Sequence, residues 1–191
     1  MKQVLAIHEI TEELFSLPLE NYILTFDDGL YSQYLHFDRF QRIPTQKIYF
    51  ISSGIVCNGA QSSEFITCAD AHQKAFAGNL ENYMTVEQIR ELMLDPHVTI
   101  GAHGHAHKNL DNMRSLPEKV IYIDNDTRQC VEWFKSTLGY CPTVFCYPHN
   151  NNLHGIYTAM LKKYGFTEFY GQERLTAEAL IEESFAHQAS C

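Results

Sequence analysis

Three short stretches carry the residue types that do chemistry. The first is Thr25-Phe26-Asp27-Asp28-Gly29, two adjacent carboxylates behind the apolar run Tyr22-Ile23-Leu24. Carboxylates at the end of a buried strand are costly unless positive charge sits beside them. Side chains alternate along a strand, so Asp27 and Asp28 are expected to point apart. One can then hold a metal while the other faces a bound water. The same residues would also suit a helix-capping turn, with Gly29 supplying the bend. The second stretch, Gly101-Ala102-His103-Gly104-His105-Ala106-His107, places three histidines in five residues. Imidazole is a common neutral metal ligand, and zinc combines it with carboxylate oxygen. On a helical turn His103 and His107 share a face; in an extended chain all three histidines do. Either arrangement, joined to a carboxylate, gives the His-His-carboxylate pattern of a hydrolytic metal site. The competing reading is a surface histidine patch that takes up metal adventitiously. The third stretch is Phe145-Cys146-Tyr147-Pro148-His149-Asn150.

These stretches need a scaffold, and the chain alternates between strand-like and helix-like segments. Strands are expected at Asn21–Thr25, Lys47–Ile51, Val98–Ile100, Thr143–Tyr147 and Thr167–Tyr170, with Met1–His8 as a short edge strand. Helices are expected at Leu30–Phe40, from Thr85 to Met93, from Ser115 to Gly139, at His154–Tyr164 and at Leu175–Phe185. Thr85 and Gln88 form a capping box, and Asp95-Pro96 stops that helix. Asp124–Arg128 is a possible break in the long helix. Such alternation implies a mainly parallel sheet with helices outside, the α/β class. Sites in these folds lie at the carboxyl ends of strands, and the three polar stretches all sit there. Residues 52–83 are irregular and long for a connection. With Asp70, His72 and several aromatics they read as a substrate wall, or as a surface excursion with its own small core.

The 191 residues suit one domain spanning 1–191, and 45% hydrophobic content supports a core. The net charge of −9, with no Lys/Arg cluster, argues against a nucleic-acid partner. No stretch approaches the ~20 apolar residues of a spanning helix, and the first ten residues do not read as a signal peptide. The expectation is a cytoplasmic protein with no membrane partner. The six cysteines contain no C-x-x-C pair, so a thiolate zinc site is not signalled.

Thr25-Phe26-Asp27-Asp28-Gly29 and Gly101-Ala102-His103 through His107, followed by Leu110, resemble the first two motifs of the polysaccharide deacetylases. These carry the nodulation-type (NodB) deacetylase domain of carbohydrate esterase family four. The resemblance covers roughly residues 20 to 170. It implies a distorted, incomplete (β/α) barrel. It also implies Asp28, His103 and His107 as ligands of a divalent metal, most often Zn, and Asp27 as the general base. The reaction implied is removal of an N-acetyl group from a sugar; with no export signal, an intracellular glycan precursor is the expected substrate. The third stretch departs from the family pattern. Cys146 stands where an Arg would orient the base, and His149 where a Tyr would lend its backbone N–H to the oxyanion hole. His149 can supply that N–H. Tyr147, Pro148 and Asn150 are the expected substrate contacts. Orientation of Asp27 must come from another group. The family's closing Leu-x-His strand, source of the general acid, has only a weak match at His187; His105 and His149 lie nearer by sequence. Two alternatives remain: a metal-dependent amidase acting on another C–N bond, and a carbohydrate-binding relic that keeps the metal without turnover.

Overall fold

The structure is a computed structural model that describes residues 2–188. Seven strands form one sheet: β1 (Gln3–Ile7), β2 (Tyr22–Phe26), β3 (Lys47–Ile51), β4 (Val98–Ala102), β5 (Val144–Cys146), β6 (Glu168–Tyr170) and β7 (Leu175–Thr176). Their order is β6-β5-β4-β3-β2-β1-β7, and every pairing is parallel. The sheet curls into a half-barrel, the distorted, incomplete (β/α) barrel anticipated from the sequence. All strand ends that follow the chain direction therefore open on one rim.

Parallel strands covered on both faces need apolar residues on both, and β3 is buried at all five positions. Tyr49 and Ile51 join the main core under the helices, while Ile48 and Phe50 face a second cluster with Val144, Cys146 and Tyr170. That division follows the two-residue period of a strand. The helices are α1 (Tyr31–Leu35), α2 (Phe37–Gln41), α3 (Cys68–Phe76), α4 (Val86–Leu92), α5 (Leu116–Trp133), α6 (Ile156–Lys163) and α7 (Ala177–Gln188). The capping box of α4 forms: Gln88 N–H donates to Thr85 Oγ1 at 3.3 Å, and Thr85 N–H donates to Gln88 Oε1 at 2.9 Å.

Four elements differ from the sequence reading. Leu30–Phe40 is two short helices broken at His36, whose backbone leaves the helical region at φ −99° and ψ 10°. The long helix runs unbroken through Asp124–Arg128, where Asp126 and Thr127 are buried, and ends in a π-type turn before Gly139. The N-terminal strand is no edge: Leu175–Thr176, placed by the sequence in the last helix, pairs with it as β7. Residues 52–83 contain a helix, α3, whose N-terminus Thr67 caps by accepting from Asp70 N–H at 3.2 Å. This excursion has its own core of Leu30, Ile55, Cys57, Ala71 and Tyr83. Among the described residues no helix is long and apolar enough to cross a membrane.

Candidate metal centre and hydrolytic site

β2 delivers Asp27 and Asp28 to the rim, but pleating does not separate them, because the strand ends at Phe26. Asp28 instead adopts φ 75° and Gly29 φ 79°, and this left-handed pair turns the two carboxylates apart. A non-glycine residue in that region costs on the order of 1–3 kcal/mol, and such strain gathers at functional sites. His107, His149 and Asn150 share it, at φ 47°, 54° and 55°. The Gln33 amide fixes this end of the sheet, donating to Asp27 O at 2.7 Å and His8 O at 3.3 Å. It thereby ties the ends of β1 and β2 together.

The histidine segment after β4 is neither helical nor extended. Gly104 turns at φ 75°, and the carboxylate of buried Asp126 accepts the next two amides, His105 N–H at 2.8 Å and Ala106 N–H at 2.9 Å. A side chain at Gly104 would place its Cβ 2.8 Å from Asp126 Oδ2, so only glycine fits this loop. The result brings His103 and His107 onto Asp28: their Nε2 atoms lie 3.3 Å and 3.1 Å from Oδ1. His105 is carried away, sharing a 2.9 Å hydrogen bond with Ser53 Oγ.

This arrangement fits a divalent cation. His103 Nδ1 donates to Cys146 O at 2.8 Å, which leaves its Nε2 as a bare donor atom. That Nε2 lies 3.2 Å from His107 Nε2, a separation that either a proton on His107 Nε2 or a cation between the rings would satisfy. Asp28 Oδ1 is buried without a hydrogen-bond partner. Donor atoms in a four-coordinate zinc shell with bonds of about 2.1 Å lie about 3.4 Å apart, close to these separations. Burial pushes the His107 imidazole down to about 4, so it is the neutral form a metal needs. Burial would raise the Asp28 carboxyl, but the surrounding imidazoles outweigh it and hold Asp28 well below its ordinary range.

Asp27 points into a different environment. Arg174, in the turn after β6, grips it with two hydrogen bonds of 2.7 Å, one to each carboxylate oxygen. The same guanidinium donates to Thr25 Oγ1, Asn150 Oδ1 and Gly171 O. Burial alone would raise the Asp27 carboxyl; the Arg174 charge and hydrogen bonds reverse that and carry it below its ordinary value. Cys146 Sγ sits 3.1 Å from Arg174 Nη2, its small side chain leaving room for a guanidinium from elsewhere in the chain. Burial pushes the Cys146 thiol well up, so it adds no competing negative charge. Arg174 engages each Asp27 oxygen once, which leaves each a second lone pair facing the site.

A cavity of about 540 Å³ opens over these groups, lined by His8, Asp27, Asp28, His103, His107 and His149 among others. His8 follows β1, and its Nε2 lies 3.7 Å from Asp27 Oδ2 with the side chain 30% exposed. His149 lies against His107 with ring centres 4.7 Å apart and planes tilted by 47°. Tyr147 and Asn150 line the cavity, though the Tyr147 hydroxyl is engaged by Thr158. Pro148 is buried and does not line it. The side chain of His187 lies outside the described residues. Asp70 and Lys74 line a separate groove of about 620 Å³ on the outer side of α3, which none of the site histidines reaches.

Sequence reasoning missed Arg174, His8 and Asp126. Arg174 has no local motif, and His8 was masked by treating its strand as an edge. Asp126 fell in the stretch read as a possible helix break.

A profile of the polysaccharide deacetylase family matches residues 18–169 of the chain. A search of curated proteins gives no match. Solved structures with a similar fold include IcaB from Ammonifex degensii, 18% identical with a TM-score of 0.65, covering 92% of this chain and 84% of that one. A de-N-acetylase from Aggregatibacter actinomycetemcomitans is 12% identical with a TM-score of 0.65, covering 92% and 93%. The BpsB deacetylase domain from Bordetella bronchiseptica is 13% identical with a TM-score of 0.62, covering 92% and 94%. At these identities the likeness lies in the fold.

Proposed function

The chain belongs to the polysaccharide deacetylase family, and we propose that it is a metal-dependent hydrolase that removes the acetyl group from an N-acetylated amino sugar. The observation that carries this reading is the pair of facing carboxylate sites: Asp28 among histidines and, beside it, Asp27 clamped by Arg174. A divalent cation, most simply zinc, held by Asp28, His103 and His107 would polarise the amide carbonyl and lower the pKa of a bound water to about 7. Asp27 takes the proton from the attacking water, and Arg174 keeps that carboxylate ionised and aimed. His8, beside Asp27 on the same cavity, gives a proton to the departing amine. The backbone N–H of His149 is offered to the oxygen that gains charge. Phe76, exposed beside the cavity, gives a sugar ring an apolar surface.

The relic reading drew its support from the missing Arg and the absent acid. Arg174 and His8 occupy those roles from other strand ends, and this favours turnover. The test is elemental analysis of wild type beside Asp28→Ala, joined to acetate release from N-acetylglucosamine oligomers by wild type and Asp27→Asn. The expected result is about one metal ion per chain, lost in Asp28→Ala, with acetate release abolished in Asp27→Asn while its metal stays. Unchanged acetate release in Asp27→Asn would overturn the reading.

A further inference from the structure

Asp28 Oδ1 has a third nitrogen beside it. His72 Nε2 lies 3.4 Å away, against 3.3 Å and 3.1 Å for the histidines of the loop after β4. His72 comes from α3, in the excursion 52–83, and not from a strand end. Its ring stacks on His107 with centres 4.2 Å apart and planes 25° from parallel. Its Nε2 is buried and has no hydrogen-bond partner. Its other nitrogen, Nδ1, hydrogen-bonds Cys68 O at 3.0 Å. A main-chain carbonyl holding one ring N–H, with the other nitrogen left bare for the ion, is how metal-ligating histidines are oriented. His103 is set in the same way by Cys146 O. One turn earlier on α3, the Cys68 thiol donates to Asp28 Oδ2 at 2.9 Å. Residues four apart share a helix face, so α3 addresses both oxygens of Asp28 at once. Burial, with Asp28 beside it, pushes the Cys68 thiol up and keeps it a neutral donor.

Resting on the metal-dependent reading above, we propose that His72 is a fourth protein ligand of the cation held by Asp28, His103 and His107, and that the ion thereby fastens α3 over the site as a lid. Catalytic zinc sites keep one position open for water or substrate, whereas four protein ligands close the shell. The closed arrangement is thus a resting state. His72 gives up its place, and α3 lifts, when substrate enters.

The experiment uses the full chain stripped of metal, as wild type, His72→Gln and His72→Ala. Zinc and cobalt(II) are titrated against a chromophoric chelator, the cobalt spectrum is recorded, and trypsin cleavage at Lys74 in α3 is timed with and without zinc. Wild type should bind one ion with a four-coordinate cobalt spectrum and be protected at Lys74 by zinc. His72→Gln should still bind one ion, at least about tenfold more weakly, with a changed cobalt spectrum and no zinc-dependent protection. His72→Gln preserves most of the side-chain volume, so it carries the test if His72→Ala folds poorly. Affinity, spectrum and protection equal to wild type in His72→Gln would overturn the proposal while leaving the three-ligand site intact. Failure of the wild type to bind any ion would overturn both, a distinct result.

Discussion

Replacing Arg174 by glutamine is the sharpest perturbation of the site. Asp27 is 2% exposed and Arg174 7%, so neither charge has much water to fall back on. Two charge-assisted hydrogen bonds of 2.7 Å join them. Removing one partner of a buried ion pair costs about 3–5 kcal/mol, because the other charge is stranded. Burial is the largest influence on the Asp27 carboxyl and acts to raise it; Arg174 is what reverses the direction. In Arg174→Gln the carboxyl should therefore rise above its ordinary value, and the base should be partly protonated where the wild type is fully ionised. Loss of an aimed, ionised base predicts a fall in kcat/KM of about 10²–10⁴, with the acid limb of the pH profile moved upward. Stability gives an independent readout. In the wild type the folded carboxyl lies below its unfolded value near 3.8. The pair's contribution is therefore present above that pH and is lost as pH falls through the lower folded value. In Arg174→Gln the sign reverses, so the deficit against wild type should be largest near neutral pH and narrow on acidification. Urea unfolding at several pH values and acetate-release profiles measure both effects. The double variant Asp27→Asn/Arg174→Gln should regain stability without regaining activity. An Arg174→Gln enzyme within about threefold of wild type, with its acid limb in place, would refute the assignment.

His8→Gln should keep its metal and lose roughly 10²–10⁴ in kcat toward an unactivated amide. Its loss should be much smaller on a substrate whose leaving group needs no proton, and an equal loss on both would remove His8 from the proton-donor role. Asp126→Ala strips the acceptor from the amides of His105 and Ala106 and from the Tyr122 hydroxyl. Metal affinity should fall on the order of 10–100-fold, measured by chelator competition. His105→Ala, which removes a side chain turned toward Ser53, should leave that affinity unchanged.

What could be read from the sequence depended on how far apart the cooperating residues lie. The capping box of α4 and strands β2 to β6 are written in local patterns of a few residues. Asp27-Asp28 and His103 to His107 stand in compact stretches that a reader can see whole. β7 could not be seen, because two residues, Leu175–Thr176, carry no period and become a strand only by pairing with β1. The split of Asp27 from Asp28 was expected from pleating, yet it comes from a left-handed residue after the strand has ended. Asp126 supports a loop from 21 positions away, and Arg174 reaches Asp27 across 147.

The absent Arg at Cys146 nevertheless held more information than a motif comparison extracts. A buried carboxylate stays ionised only at high cost without a counter-charge, so a chain that keeps Asp27 as a base and lacks the Arg calls for a cation from elsewhere. In a parallel half-barrel every strand ends on the same rim, and the candidates are the basic residues that follow those ends. Of the 14 Lys and Arg, those that come soonest after such an end are Lys108 after β4 and Arg174 after β6. Lys108 is solvent-exposed, and Arg174 is the one with the short reach and planar fork that a carboxylate beside β5 requires. The small thiol of Cys146 at the end of β5 and the guanidinium from the turn after β6 share one space, 3.1 Å apart. The electrostatic requirement belongs to the position in space beside Asp27, and the barrel rim allows more than one stretch of chain to meet it.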